Sequence, residues 1–246
     1  MTIIYSASPG TASQTFKKRL EIILNCKSKM LNSDRGVGHL LLDIPAKKKI
    51  LKKFKLDFFD QTKLIYGHIF PTKKNLVLLN HYYGIKHFII SYRNIYEQLN
   101  YYYKWQKYKL RGPLNFPEDQ NFSSKNEFDF NNLDIDLNLL LVLNFYKHWF
   151  YLIQNNEIKN FTLFSFEEIR SLNKDYQEKI KNIFQNLANE NKIKFDDNIK
   201  DNVQKKEEFE IHSRHKQMIE DFISYHKKVD FSLIVWLNTN QFISLK

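Results

Sequence analysis

The sequence predicts an α/β protein, a parallel sheet flanked by helices, on three observations. The chain has 246 residues, long enough for one large domain with a sizeable core and too short for two comfortable ones. Its strand-like runs are short and continuously apolar, as strands covered on both faces are. Those runs alternate with segments of helical periodicity, the order that parallel pairing requires.

The opening unit reads strand, turn, helix. "TIIYSA" is β-rich and ends in small residues, and "SPGTAS" (8–13) bends the chain at Pro9-Gly10. In "SQTFKKRLEIIL", Phe16, Leu20, Ile23 and Leu24 fall on one helix face. Thr11 and Gln14 have the spacing of a capping box that would start this helix. "KLIYGHIFP" reads as a second strand stopped by Pro71, and "KHFIISY" (86–92) as a third. A helix follows from about Asn94, where Asn94 and Glu97 stand at N-cap and N3 spacing. Residues 111–131, with two prolines and many polar side chains, read as a long loop, and 133–153 as a strongly apolar helix. "FTLFSF" (161–166) is a fourth strand with a helix after it, and 191–216 a charged loop. "MIEDFISYHKK" is helical and "FSLIVW" (231–236) a last strand. With no internal repeat and no linker, residues 1–246 read as a single domain.

Formal net charge is +11, which favours an anionic partner. Most of the excess is lysine, 32 against 6 arginines, so each arginine is the more informative residue. One cysteine, Cys26, excludes an internal disulfide framework. There is no basic leader with an apolar core behind it, and the longest aliphatic run, "LLLVL" (139–143), is far short of the ~20 residues of a spanning helix. A cytoplasmic location is expected. The eight histidines do not pair with Cys or carboxylates at metal-ligand spacing, so no metal site is expected.

Three pieces could carry chemistry, each with a plainer alternative. The turn 8–13 leads from a strand into a helix, so its backbone N–H groups and the helix dipole suit a phosphate, with hydroxyls at Thr11 and Ser13 as added donors. It lacks the Walker lysine, and read alone it is as well an ordinary strand-to-helix turn. His68 stands at a strand end beside Gly67, where a parallel sheet faces its ligand crevice, and is either a general base or a structural histidine. Arg93 ends the third strand and Asn100 follows two helical turns later. The two suit a phosphate, while the plainer reading pairs Arg93 with Glu97.

Taken in order, "SPGTAS", "YGH", "RNIYEQLNYYY" and "FSFEEIRSLNKDYQEKIKNIF" resemble the motifs of the P-loop sulfotransferases, over roughly residues 2–190. The resemblance implies a three-layer P-loop sulfotransferase-like architecture and 3′-phosphoadenosine 5′-phosphosulfate (PAPS) as co-substrate. It assigns the 5′-phosphosulfate to Ser8, Pro9, Gly10, Thr11, Ala12 and Ser13, the 3′-phosphate to Arg93 and Asn100, and general base to His68. Arg214 in "HSRHK" is the candidate for the family's C-terminal phosphate-closing loop. The chain departs from the pattern at Ser8, which stands where the family has its loop lysine, and at Tyr66, where it has a second.

The resemblance implies a hydroxyl-bearing acceptor, and the aromatic run Tyr101, Tyr102, Tyr103, Trp105 and Tyr108 suits a carbohydrate, its plainer reading being core packing. The competing reading is a catalytically degenerate module of the same fold that binds an acidic partner or nucleotide; the basic stretch 46–56 favours it, the presence of His68 argues against it. A nucleic-acid partner is disfavoured, since the charge is spread along the chain as lysine and no nucleic-acid motif occurs.

Overall fold

The computed structural model describes residues 2–8, 10–11, 13–23, 26–30, 64–110, 133–170 and 210–232. Outside them lie Pro9, Ala12, the basic stretch 46–56, the loop expected over 111–131, the helix expected beyond Arg170 and the strand expected over 231–236 from residue 233 on. The elements are β1 (Thr2–Ala7), α1 (Ser13–Ile23), β2 (Lys29–Met30), β3 (Leu64–Gly67), α2 (Lys73–Tyr83), β4 (Ile85–Tyr92), α3 (Ile95–Leu110), α4 (Leu133–Gln154), β5 (Phe161–Ser165), α5 (Phe166–Arg170) and α6 (Ser213–Tyr225).

The chain divides into two compact units: Met1–Arg93 with His148–Asn202, and Asn94–Lys147 with Val203–Lys246. The first holds the α/β fold the sequence predicts. Its five strands are ordered β2-β3-β1-β4-β5, and every pairing is parallel. β1 is central, with Tyr5 level with Tyr66 of β3 and with Ile89 of β4. Ile3, Ile4, Tyr5 and Ala7 are fully buried, which is why this strand reads as one continuous apolar run.

Each face of the sheet has its own cover. Ile3, Tyr5, Tyr66, Ile89 and Phe164 point to one face and pack with Phe16 and Leu20 of α1 and Ile169 of α5. Ile4 and Ile65 point to the other and pack with Ile69 and Leu79, the latter on α2. Trp149, near the end of α4, joins this second face, its ring 5.6 Å from that of Phe88. Burial of this kind contributes roughly 1.5–3 kcal/mol per large apolar side chain.

Helix α2 has clear stops at both ends. The Thr72 side chain accepts the N–H of Asn75, and Gly84 closes the helix at φ +53°, its N–H donated to the Asn80 carbonyl. Between β4 and β5 the chain runs through the second unit. There α3 begins at Asn94, whose Oδ1 accepts the N–H of Tyr96 at 2.8 Å and of Glu97 at 3.4 Å, as the sequence predicts. Tyr146 of α4 donates to Gln98 Oε1 of α3 at 2.7 Å, and Lys147 lies over the Phe222 ring of α6 at 5.7 Å. No described helix is long and apolar enough to cross a membrane.

Candidate functional site

The strand order decides where a ligand crevice belongs. From β1 the chain leaves toward the β2 edge, and from β4 toward the β5 edge, so the outgoing connections diverge between β1 and β4. Open parallel sheets bind ligands outside the carboxyl ends of their strands at such a divergence. The carboxyl ends of β1 and β4 carry the 8–13 turn and Arg93.

Three contacts tie the ends of β3 and β4 to the end of β1 and the turn that follows it. His68, just past β3 and 7% exposed, places Nδ1 2.6 Å from the Ala7 carbonyl. Arg93, just past β4, donates from Nη1 to the Gly10 carbonyl at 3.1 Å. Ser91 of β4 is 2.9 Å from Thr11, hydroxyl to hydroxyl. Gly10 makes the turn possible, since its φ of +82° lies in the left-handed region that other residues rarely adopt.

The hydrogen bonds have a direction. Thr11 Oγ1 donates to the Ser8 carbonyl at 2.6 Å. A hydroxyl has one hydrogen, so across the next contact Ser91 must donate to Thr11. Tyr5 in turn donates to Ser91 at 3.1 Å. The chain Tyr5–Ser91–Thr11–Ser8 is fully buried. Two expectations change here. Thr11 closes no capping box, because its hydroxyl serves the Ser8 carbonyl and Gln14 instead reaches the Tyr66 hydroxyl at 3.3 Å. What Thr11 can offer an anion is therefore its backbone N–H.

The His68 ring is oriented by the same rule. A carbonyl only accepts, so Nδ1 carries the hydrogen in the neutral ring and Nε2 is the proton-accepting nitrogen. Its segment is held firmly. The Ile69 carbonyl accepts from Ser6 Oγ at 3.0 Å and from Trp149 Nε1 at 3.3 Å, and the Phe70 carbonyl from Asn75 Nδ2 at 2.8 Å. Arg93 is held from a second side by Phe166, its guanidinium carbon lying 3.8 Å from the ring centre. Phe166 opens α5 behind a capping box in which Ser165 and Glu168 exchange hydrogen bonds of 2.6 and 3.1 Å.

Of the expected site residues, Ser8, Gly10, Thr11, His68 and Arg93 come together in the first unit. Ser13 opens α1. Pro9 and Ala12 lie outside the described residues. The cations after the turn take different courses. Arg19 is buried, its Nη1 on the Ile169 carbonyl, while Lys17 pairs with Glu21 at 3.9 Å and Lys18 is exposed. Tyr66 is buried among Tyr5 and His68, an aromatic core position with its hydroxyl on Gln14.

Asn100 stands on α3 in the second unit, its Oδ1 buried and without a hydrogen-bond partner among the described residues. Arg214 is not in a charged loop: the helix expected from Met218 already starts at Ser213, capped by the His212 side chain, and Arg214 is in its first turn with its guanidinium on Asp136. Of the aromatic run, Tyr102 and Tyr103 are buried in packing and Tyr101 is exposed. The sequence reading missed Ser91, Tyr5 and Phe166. A serine inside the apolar run "HFIISY" was the one local signal for Ser91; Phe166 had none.

No protein-family model matches the chain, and no curated protein sequence matches it. Among solved structures, the crystal structure of mouse sulfotransferase SULT7A1 complexed with PAP is similar, with a TM-score of 0.44 and 15% sequence identity over 94% of this chain and 66% of that one. The chain thus spans just under two thirds of the length of the enzyme it resembles.

Proposed function

We propose that the β1–α1 turn is the nucleotide-phosphate loop of a PAPS-dependent sulfotransferase with His68 as general base. The observation that carries this reading is that β3 and β4 meet the end of β1 and its turn, His68 Nδ1 at the Ala7 carbonyl, Arg93 Nη1 at the Gly10 carbonyl and Ser91 at Thr11. An imidazole and a guanidinium beside the carboxyl ends of the strands support a ligand site there, since parallel folds bind their ligands at that end of the sheet.

In this reading the backbone N–H groups of residue 8 and of residues 10–13, with the α1 dipole behind them, receive the 5′-phosphosulfate, and Arg93 receives the 3′-phosphate. The acceptor is a hydroxyl compound. Its oxygen attacks sulfur in line, its proton passes to His68 Nε2, and the bond from sulfur to the phosphate oxygen breaks with its electron pair left on adenosine 3′,5′-bisphosphate. With Ser8 in place of a lysine, the charge developing on that oxygen is met by loop amides. Loss of one such donor costs other enzymes about 3 kcal/mol, so turnover is expected to be slow. A carbohydrate acceptor is carried only by the aromatic run from Tyr101 to Tyr108 in the sequence. Asn100 and Arg214 are carried in it only by their sequence positions.

A second reading, a binding module without turnover, is favoured by Ser8 and by the inward-facing Thr11 hydroxyl. Calorimetric titration with adenosine 3′,5′-bisphosphate, with AMP and ATP as controls, tests both. Binding that needs the 3′-phosphate and is lost in Arg93→Ala supports the nucleotide site. No binding by the folded protein rejects it. Sulfuryl transfer that disappears in His68→Ala while binding persists then separates enzyme from binder.

A further inference from the structure

Away from that turn, a second buried polar cluster joins three helices of the second unit. Tyr103 of α3 has its hydroxyl 2.6 Å from His215 Nδ1 of α6. His215 Nε2 is 2.9 Å from Asp136 Oδ1 of α4, and Arg214 holds the other carboxylate oxygen. Tyr103 and His215 are fully buried and Asp136 is 7% exposed. The carboxylate beside a guanidinium only accepts, so Nε2 carries the hydrogen, Nδ1 is the acceptor, and Tyr103 donates to it. The chain therefore runs Tyr103 to His215 to Asp136, with a neutral ring in the middle.

This cluster is electrically balanced as it stands: one carboxylate, one guanidinium, one neutral imidazole. A proton on Nδ1 would undo it twice. The new N–H would point at the Tyr103 hydroxyl, and the tyrosine O–H would lose its buried acceptor. The site would also carry a net positive charge, its one carboxylate already shared with Arg214.

We infer that Tyr103, His215 and Asp136 form an acid-sensitive latch, which fastens α6 to α3 and α4 while His215 is neutral and releases it when His215 takes a proton. The groups facing His215 are Tyr103 on α3, Asp136 on α4, and Arg214 and His212 on α6. Burial, the largest influence, holds His215 below its ordinary 6.5, with His212 and Arg214 acting the same way and Asp136 opposing. The sign follows: the latch is fully closed above 6.5 and weakens as pH falls below it. His212 needs a control of its own, because its Nδ1 accepts the Arg214 N–H as helix cap at 3.2 Å.

The test is backbone hydrogen exchange of Ser213–Tyr225, expressed as protection against the unstructured rate, at about pH 7.5 and about pH 5.5, with β1 and β4 as internal reference. A ring that refuses a proton in place but titrates normally on release loses a factor of up to about tenfold in closing over that interval. The wild type and His212→Asn, which keeps a capping side chain without a titrating one, are expected to lose that factor in α6 with the sheet unchanged. His215→Gln is expected to show a flat profile. A flat wild-type profile overturns the latch, as does a fall that survives in His215→Gln or vanishes in His212→Asn. If His215→Gln does not fold, the wild type and His212→Asn decide.

Discussion

Two buried hydrogen-bonded chains hold this protein together in different ways. In the first unit, Tyr5, Ser91, Thr11 and Ser8 pass hydrogens inward and end on a backbone carbonyl, every member neutral. In the second, Tyr103 and His215 pass theirs to the Asp136 carboxylate, which Arg214 balances. Each joins segments far apart in sequence. The neutral chain fixes a turn at any ordinary pH, whereas the ionic one holds only while its ring stays neutral. A site that must present the same backbone to a ligand is better built the first way.

The largest effect expected is on the first unit. His68→Ala should lower sulfuryl transfer about 10²–10⁴-fold with bisphosphate affinity kept, measured by turnover beside calorimetry. Equal loss of both would make His68 a structural residue and shrink the functional contrast between the two regions. Next, Asp136→Ala strips the partner from a buried His215 N–H and from Arg214. Chemical denaturation should show a loss of about 3 kcal/mol, the low end for breaking a buried pair because the Arg214 side chain is 46% exposed.

The neutral chain is expected to lose less per member. Thr11→Val removes the acceptor of Ser91 and the donor to Ser8, at a cost of about 1–3 kcal/mol. Adding Ser91→Ala should cost less than the sum of the singles, because the orphaned donor goes with it. Strict additivity would mean the two hydroxyls are not one chain. Gly10→Ala should cost about 1–2 kcal/mol from its φ of +82° alone, and should weaken bisphosphate binding if the turn is the phosphate loop.

The smallest effect lies at alkaline pH. Burial above all, with Asp136 adding to it and the His212 backbone hydrogen bond opposing, pushes the Tyr103 hydroxyl up from 10.0 to about 12. The folded form therefore keeps a proton that the unfolded chain gives up, so stability is full below 10 and declines as pH rises from there toward 12. Tyr103→Phe should flatten that decline in a melting-temperature series. No change would show that alkaline loss comes from other tyrosines.

Much of the first unit was legible beforehand, because a continuously apolar strand and a small-residue turn are local features. The third strand reads Ile85–Tyr92 against an expected 86–92, and Asn94 caps α3 through its own side chain. The helix over Lys73–Tyr83 is faint in the sequence, since Lys73, Lys74, His81 and two tyrosines blur its apolar face, and the Thr72 and Gly84 caps are its surest marks. Strand β2, two residues long, is too short to leave a pattern. Arg214 reads as a loop residue for a related reason: "HSRHK" is rich in charge, yet His215 inside it is fully buried in a helix.

From the sequence alone came the alternation of strands and helices, the bend at Pro9-Gly10 and the positions of His68 and Arg93 at strand ends. These are properties of a few adjacent residues and of the periods 2 and 3.6. The tertiary structure decided the order of strands that sets β3 and β4 on either side of β1, the inward course of Arg19 and the meeting of Asp136 with His215. A hydrogen-bond partner is chosen by which segments close in space. Loop closure costs only slowly more with length, so no short window of residues records that choice.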